Sequence, residues 1–114
     1  NGYNVLVMYG TISSSNPGVT ALFTTIPFRS MGVDMIVTGA GEMYERLQMS
    51  DGLVVINSGT GGRQLYTGAL NANSNSRKVI QNTIGFLRIT ASPVTCKVEF
   101  ITQAGQTLDT YGLQ

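Results

Sequence analysis

Residues Val33 to Leu47 read VDMIVTGAGEMYERL: an apolar run, a glycine-framed turn Gly39-Ala40-Gly41-Glu42, and then Tyr44-Glu45-Arg46 without a break. The run is too short for a stable isolated helix and reads as a strand delivering its last residues into a loop. Gly52 to Gly59, GLVVINSG, repeats the pattern, as does Asn4 to Met8, NVLVM, closed by Tyr9-Gly10. Continuous apolar strands of this kind imply a sheet buried on both faces. Glu42 to Met49 reads as a single helical turn joining two of them.

Between the first two strands lies TISSSNPG (Thr11 to Gly18), a turn-rich loop with Asn16-Pro17 as its turn signal. Val19, Leu22, Phe23 and Ile26 form a short helical stripe, so Val19 to Met31 is the one predicted helix, disturbed at Pro27 and capped by Gly32. Gly59 to Tyr66 is a glycine turn and a short extended piece, and Asn71 to Lys78, NANSNSRK, a polar loop. From Ile84 the pattern alternates. IGFLRITA and TCKVEFIT flank Ser92-Pro93 as an antiparallel hairpin, and TLDTYGLQ follows the turn Gln103 to Gln106 as a last strand. The fold class is mixed α/β weighted to β, with one short helix and a C-terminal meander. One helix leaves a sheet face short of cover, so another chain or an absent half of the same protein is expected to pack there, with a homo-oligomer, a cyclic trimer preferred, as the favoured reading.

With 114 residues the chain suits one domain spanning 1–114. Only 11% of residues are charged, against roughly 25% in an average domain, and the formal net charge is +1. That balance gives no footprint for nucleic acid or an anionic membrane, and no run approaches the ~20 apolar residues that span a bilayer. Ser, Thr, Asn, Gln and Gly must meet solvent instead, a composition common in secreted β-rich and fibrous proteins. Cys96 is the only cysteine, which excludes an intrachain disulfide and marks a buried thiol. Histidine is absent. Without an initiator Met or signal-peptide pattern, the chain is expected to be the C-terminal module of a longer protein.

In order along the chain, these segments resemble the C-terminal half of calcineurin-like metallophosphoesterases, in the purple-acid-phosphatase-like branch. There a strand enters a Gly-His-x-His loop followed by Tyr-Glu-Arg, and a second strand ends in an Asn-Gly-x-Gly-Gly type turn; VDMIVTGAGEMYERL and DGLVVINSGTGGRQLY are similar to both. NVLVMYGTISSS is similar to the strand and loop reading His-His-Pro-x-Tyr-Ser-Ser, and the last thirty or so residues to the closing hairpin and strand. The resemblance implies half of a β-sandwich built around two bridged cations. Yet the His positions fall on Tyr9 or Gly10, on Ala40 and on Glu42. Imidazole holds such metals as a neutral ligand, and Ala and Gly offer no side-chain donor. The expectation is therefore no metal, no cofactor and no phosphoesterase activity.

What remains is a scaffold whose strand-end loops can bind, since ligands of open α/β sheets gather there. The resemblance makes three loops converge, carrying Tyr9, Ser13, Ser14, Glu42, Tyr44, Arg46, Asn57 and Arg63 as candidate ligand-binding residues. Tyr, Ser, Asn and Arg combine stacking area with adaptable hydrogen bonds, as sugar or peptide recognition requires. For Tyr44, Glu45 and Arg46 the plainer reading is structural, tying the loop to neighbouring strands. Gly59, Gly61 and Gly62 lack the Lys-Ser/Thr of a phosphate loop and read as a positive-φ turn. Met31, Met35, Met43 and Met49 read as core fillers, and Ser13 to Ser15 have no base to make a nucleophile. The function expected is a non-catalytic adhesion module, such as an extracellular fibre tip recognising cell-surface glycan or protein. The alternatives are a phosphoesterase fragment and a structural trimerisation cap.

Overall fold

The structure, a computed structural model, describes residues 2–114. Its strands are β1 Val5–Met8, β2 Met35–Thr38, β3 Tyr44–Gln48, β4 Val54–Ser58, β5 Ser76–Ile80, β6 Gly85–Ala91, β7 Cys96–Thr102 and β8 Thr107–Gly112. The first five form a mixed sheet in the order β1-β2-β4-β3-β5, and the last three an antiparallel sheet in sequence order. β1, β2 and β4 run parallel, in register from Val5↔Met35 and Met35↔Val54, so their C-terminal ends lie side by side. β3 returns antiparallel between β4 and β5.

The two sheets stack face to face, because alternate residues of each strand are apolar and point the same way. Met35, Tyr44, Val54 and Ile56 of the mixed sheet meet Cys96, Val98 and Phe100 of β7. The meander expected from Ile84 onward is present with its hairpin and final strand. So is the buried Cys96.

The helix expected over Val19 to Met31 does not form; among the described residues there is none. Successive tight turns replace it: Ile26 N–H donates to Phe23, Phe28 to Ile26, and Met31 to Pro27 and Phe28. Phe23 takes a φ of 57°, which stops a right-handed helix there. Thr20, Thr24, Thr25 and Ile26 are β-branched and Pro27 lacks an N–H, so propensity never favoured the helix. Nor does the stripe face inward: Leu22, Phe23 and Ile26 are exposed, and Phe28 is the residue that anchors the segment.

That anchor alters the expectation of an uncovered face. Phe28 packs with Ile36, Leu47, Leu53 and Val55 on the outer face of the mixed sheet, helped by Leu6, Met8, Ile12 and Val33. Both faces of β2 and β4 are thus closed within one chain, by the meander on one side and by irregular chain on the other.

Two further elements differ from the sequence reading. Glu42 to Met49 contains strand β3, not a helical turn, and the end of the polar loop becomes β5, Ser76–Ile80. In β3 the alternation Tyr44, Arg46 against Glu45, Leu47 sends successive side chains to opposite faces, both of which are occupied. Met35 and Met43 are buried as expected, whereas Met31 is exposed. Among the described residues no helix is long and apolar enough to cross a membrane.

Candidate functional site

The C-terminal ends of β1, β2 and β4 open into three loops, and between them lies a cavity of about 610 Å³. Tyr9 and Gly10 follow β1, Gly39 to Glu42 follow β2, and Ser58 at the end of β4 leads into Gly59 and Gly61; Val19, Thr20 and Leu22 close the side. That volume is in the usual range for a small-molecule site, roughly 300–1,000 Å³. Parallel register explains the convergence: three strands that start level end level, so their loops must share one surface.

Backbone shape does most of the building. Gly41 and Glu42 both adopt left-handed φ, 91° and 53°, folding the loop back over itself. Gly59 then packs against that loop so closely that a Cβ would lie 2.6 Å from the Glu42 nitrogen and 2.9 Å from the Gly39 oxygen. Gly59 is therefore needed for close approach, while positive φ in this turn belongs to Gly62. Beneath them a polar network fixes the loops. Asn57 accepts from the Thr38 hydroxyl and donates to the Ser13 carbonyl, both at 2.8 Å, and Asn16 donates to the Gly41 carbonyl at 2.8 Å. The fully buried Glu45 accepts from Ser15 N–H at 2.9 Å and from the Ser15 and Ser76 hydroxyls, tying the first loop to β5.

Of the eight candidate residues, Tyr9, Glu42 and Arg63 line the cavity. Tyr9 is 94% exposed, and Arg63 and Glu42 form an ion pair of 3.2 Å at the rim. The other five lie elsewhere. Ser13 accepts from Asn73 and Ser14 from the Asn16 N–H, so both hold loop shape. Asn57 is buried with its amide satisfied. Tyr44 and Arg46 face away from the cavity toward the meander, which corrects their assignment as ligand residues. Tyr44 stacks on Phe100 with centroids 4.5 Å apart and donates to Asp109 at 2.6 Å. Arg46 donates to the same carboxylate at 2.9 Å and lies over the Tyr111 ring.

Burial, with help from the neighbouring Asp109, pushes the Tyr44 phenol far up. Burial also acts to raise the Asp109 carboxyl, but the Arg46 and Tyr44 hydrogen bonds and the Arg46 charge outweigh it and hold it below the usual carboxylate range. This group is a lock between sheets, as the plainer reading of Tyr44-Glu45-Arg46 had it. Sequence reasoning missed Gly18, Val19, Thr20 and Leu22 as cavity lining. Leu22 had been assigned to a helix, and only its seat against Gly10 reveals its position.

The bridged cations implied by the family resemblance can be tested on the donors. Glu42 is the one carboxylate at the cavity and is paired with Arg63, while the Asn57 amide is already used at both ends. Among the described residues no three His, Cys, Asp or Glu side chains come together, and no buried side-chain N or O lacks a partner. These residues do not fit a dinuclear cation centre.

Stacked sheets with parallel strands feeding glycine loops make this a metallophosphoesterase-like fold. Two solved structures carry the likeness. One is described as GAP50, the anchor in the inner membrane complex of Plasmodium, with a TM-score of 0.80, 21% identity and 98% of this chain covered. The other is the purple acid phosphatase PPD1 from yellow lupin (Lupinus luteus) seeds, with a TM-score of 0.76, 15% identity and 96% covered. This chain spans 36% of the first and 24% of the second. No family model matches the chain, and neither does any curated protein.

Proposed function

We propose that the chain is a non-catalytic binding module that holds a neutral saccharide of a surface glycan in the strand-end cavity. The observation that carries this is Tyr9, an almost fully exposed ring at the cavity mouth beside the Glu42–Arg63 pair. An aromatic face stacks on the apolar face of a sugar ring, while a carboxylate and a guanidinium hydrogen-bond adjacent hydroxyls. The two charges cancel, which suits a neutral ligand better than a phosphate or a basic peptide. Glycine loops add backbone groups without blocking access. The description of one structural neighbour as an anchor gives precedent for this fold serving attachment. Attachment at an extracellular or surface-exposed appendage also agrees with a surface poor in charge.

Binding of neutral oligosaccharides on a glycan array, followed by titration calorimetry, tests the reading. Tyr9→Ala should weaken binding at least ten-fold while Tyr9→Phe retains it. Silence of the parent chain across a broad array would remove the proposal.

The likeness to a purple acid phosphatase favours a second reading, a portion of a metal-dependent phosphoesterase. Two bound divalent ions per chain, together with release of inorganic phosphate from a simple ester, would establish it and displace the first.

A further inference from the structure

The three loops do not contribute alike to the strand-end cavity. The second and third bring its charge: Glu42, after β2, pairs with Arg63, beyond β4, at 3.2 Å. The first loop brings none. Its lining residues are Gly10, Thr11, Gly18, Val19, Thr20 and Leu22. The Thr11 hydroxyl is fully buried and spent on Ser13, donating to its carbonyl at 3.0 Å and accepting from its N–H at 3.3 Å. Thr20 alone among them keeps a hydroxyl with no partner among the described residues. The first-loop side of the cavity is thus Val19 and Leu22 set on glycine backbone, and Ala40 of the second loop adds one more methyl group to the lining.

Leu22 is held in this place. Its N–H donates to the Thr11 carbonyl at 2.8 Å. Its Cδ1 lies 2.6 Å from where a Cβ on residue 10 would stand, so glycine at that position is what admits the leucine against the end of β1. The left-handed Phe23 then turns the chain away at once. Packed against Gly10 on one side, Leu22 remains 41% exposed on the other. An exposed leucine by itself is ordinary; this one lines a cavity whose other loops carry the charge.

A sugar bearing only hydroxyls cannot satisfy both sides. A hydroxyl turned toward Val19 and Leu22 loses water without gaining a partner, whereas a methyl group there removes apolar surface from water on both molecules. We infer that the saccharide bound in this cavity carries a methyl-bearing substituent, either an acetamido group or the terminal methyl of a deoxy sugar, and that Leu22 sets this preference. The inference rests on the saccharide reading and narrows it: the ring stacks on Tyr9, hydroxyls meet Glu42 and Arg63, and the methyl group meets Leu22 and Val19. Both substituents present the same methyl group, and the acetamido group in addition needs a hydrogen-bond partner, which Thr20 offers.

Matched pairs of neutral glycans test it, each pair differing only in acetamido against hydroxyl or in methyl against hydroxymethyl, with affinities measured by titration calorimetry. Loss of one such group from an apolar pocket costs about 10–200-fold, and a wall partly open to solvent calls for the low end, so about a ten-fold preference for the methyl-bearing member is expected in one of the two series. The series that shows it identifies the substituent. Leu22→Ser, at an exposed site, should reduce the ratio to less than about three-fold. Gly10→Ala, which pushes the Leu22 tip aside without altering a polar group, should reduce it too. Tyr9→Ala should weaken both members and keep their ratio. Equal binding within every pair, or a ratio that survives both Leu22→Ser and Gly10→Ala, would overturn this inference and leave the saccharide reading standing; no binding of any neutral glycan would remove both.

Discussion

Replacing Asp109 by alanine removes the acceptor that joins the two sheets. Its carboxylate takes the Tyr44 phenol at 2.6 Å and Arg46 at 2.9 and 3.3 Å, with only 8% of the side chain exposed. Alanine leaves a buried hydroxyl and a mostly buried guanidinium without that acceptor, and breaking one side of such a pair costs about 3–5 kcal/mol. Arg46 is 16% exposed and keeps its stacking on Tyr111, so some water can reach it and the lower end, about 3 kcal/mol, is expected. At roughly 3–5 °C per kcal/mol for a domain of this size, Tm falls by about 10 °C. Tyr44→Phe removes one donor and spares the ion pair, costing about 1 kcal/mol. Because both changes act on one acceptor, the double variant should lose scarcely more than Asp109→Ala alone.

The same carboxylate sets a pH dependence. Its folded pKa lies below its unfolded value, so its contribution is fully present above the unfolded value, about 3.9, and is lost as pH falls through the folded one. The stability gap between the parent and Asp109→Asn should therefore narrow progressively as pH falls below about 5. Urea denaturation followed by circular dichroism measures all of these. A loss under about 1 kcal/mol for Asp109→Ala, or full additivity with Tyr44→Phe, would refute the lock.

Gly59→Ala drives a methyl into the backbone of Glu42 and Gly39, which cannot rotate away. A loss of about 2–3 kcal/mol is expected in denaturation, together with weaker ligand binding as the cavity loops separate; unchanged behaviour in both would mean that the loops do not touch. Cys96 is buried, and burial together with the Asp34 charge raises its thiol pKa. Alkylation of the folded protein should run at least ~100-fold slower than in urea, read by mass spectrometry, and equal rates would place the thiol at the surface.

Much of the fold was legible in short windows. Val33 to Gly39 and Gly52 to Gly59 read as strands buried on both faces, and they contain β2 and β4, the centre of the mixed sheet. The alternation after Ile84 and the Ser92-Pro93 break gave the hairpin. The family resemblance supplied the convergence of three loops, which the parallel register of β1, β2 and β4 then shows directly. Tyr9, Glu42 and Arg63, named because polar side chains flank glycine turns at strand ends, are the candidates that line the cavity.

The misreadings share a cause. Spacing alone made Val19 to Met31 a helix, yet one left-handed residue at Phe23 and the cluster of β-branched residues turn it into irregular chain. The same three- and four-residue spacing hid β3, whose two faces are both occupied, so no polar side marks the period. Tyr44, Arg46 and Asn57 looked like ligand residues because local sequence cannot tell which way a strand residue points; a one-residue difference in parity sends it to the outer face beside Phe28 or to the opposite sheet.

Sequence by itself determined the chemistry that is available: no imidazole, one thiol, few charges, and strands ending in glycine turns, all properties of composition and local order that hold in any conformation. Tertiary structure alone decided which polar groups are free. Asp109 reaches Tyr44 from 65 residues away and Asn73 reaches Ser13 from 60 away, so those side chains are satisfied inside the protein and cannot serve a ligand. Contacts of such separation depend on how the sheets stack, and no short window of sequence records that.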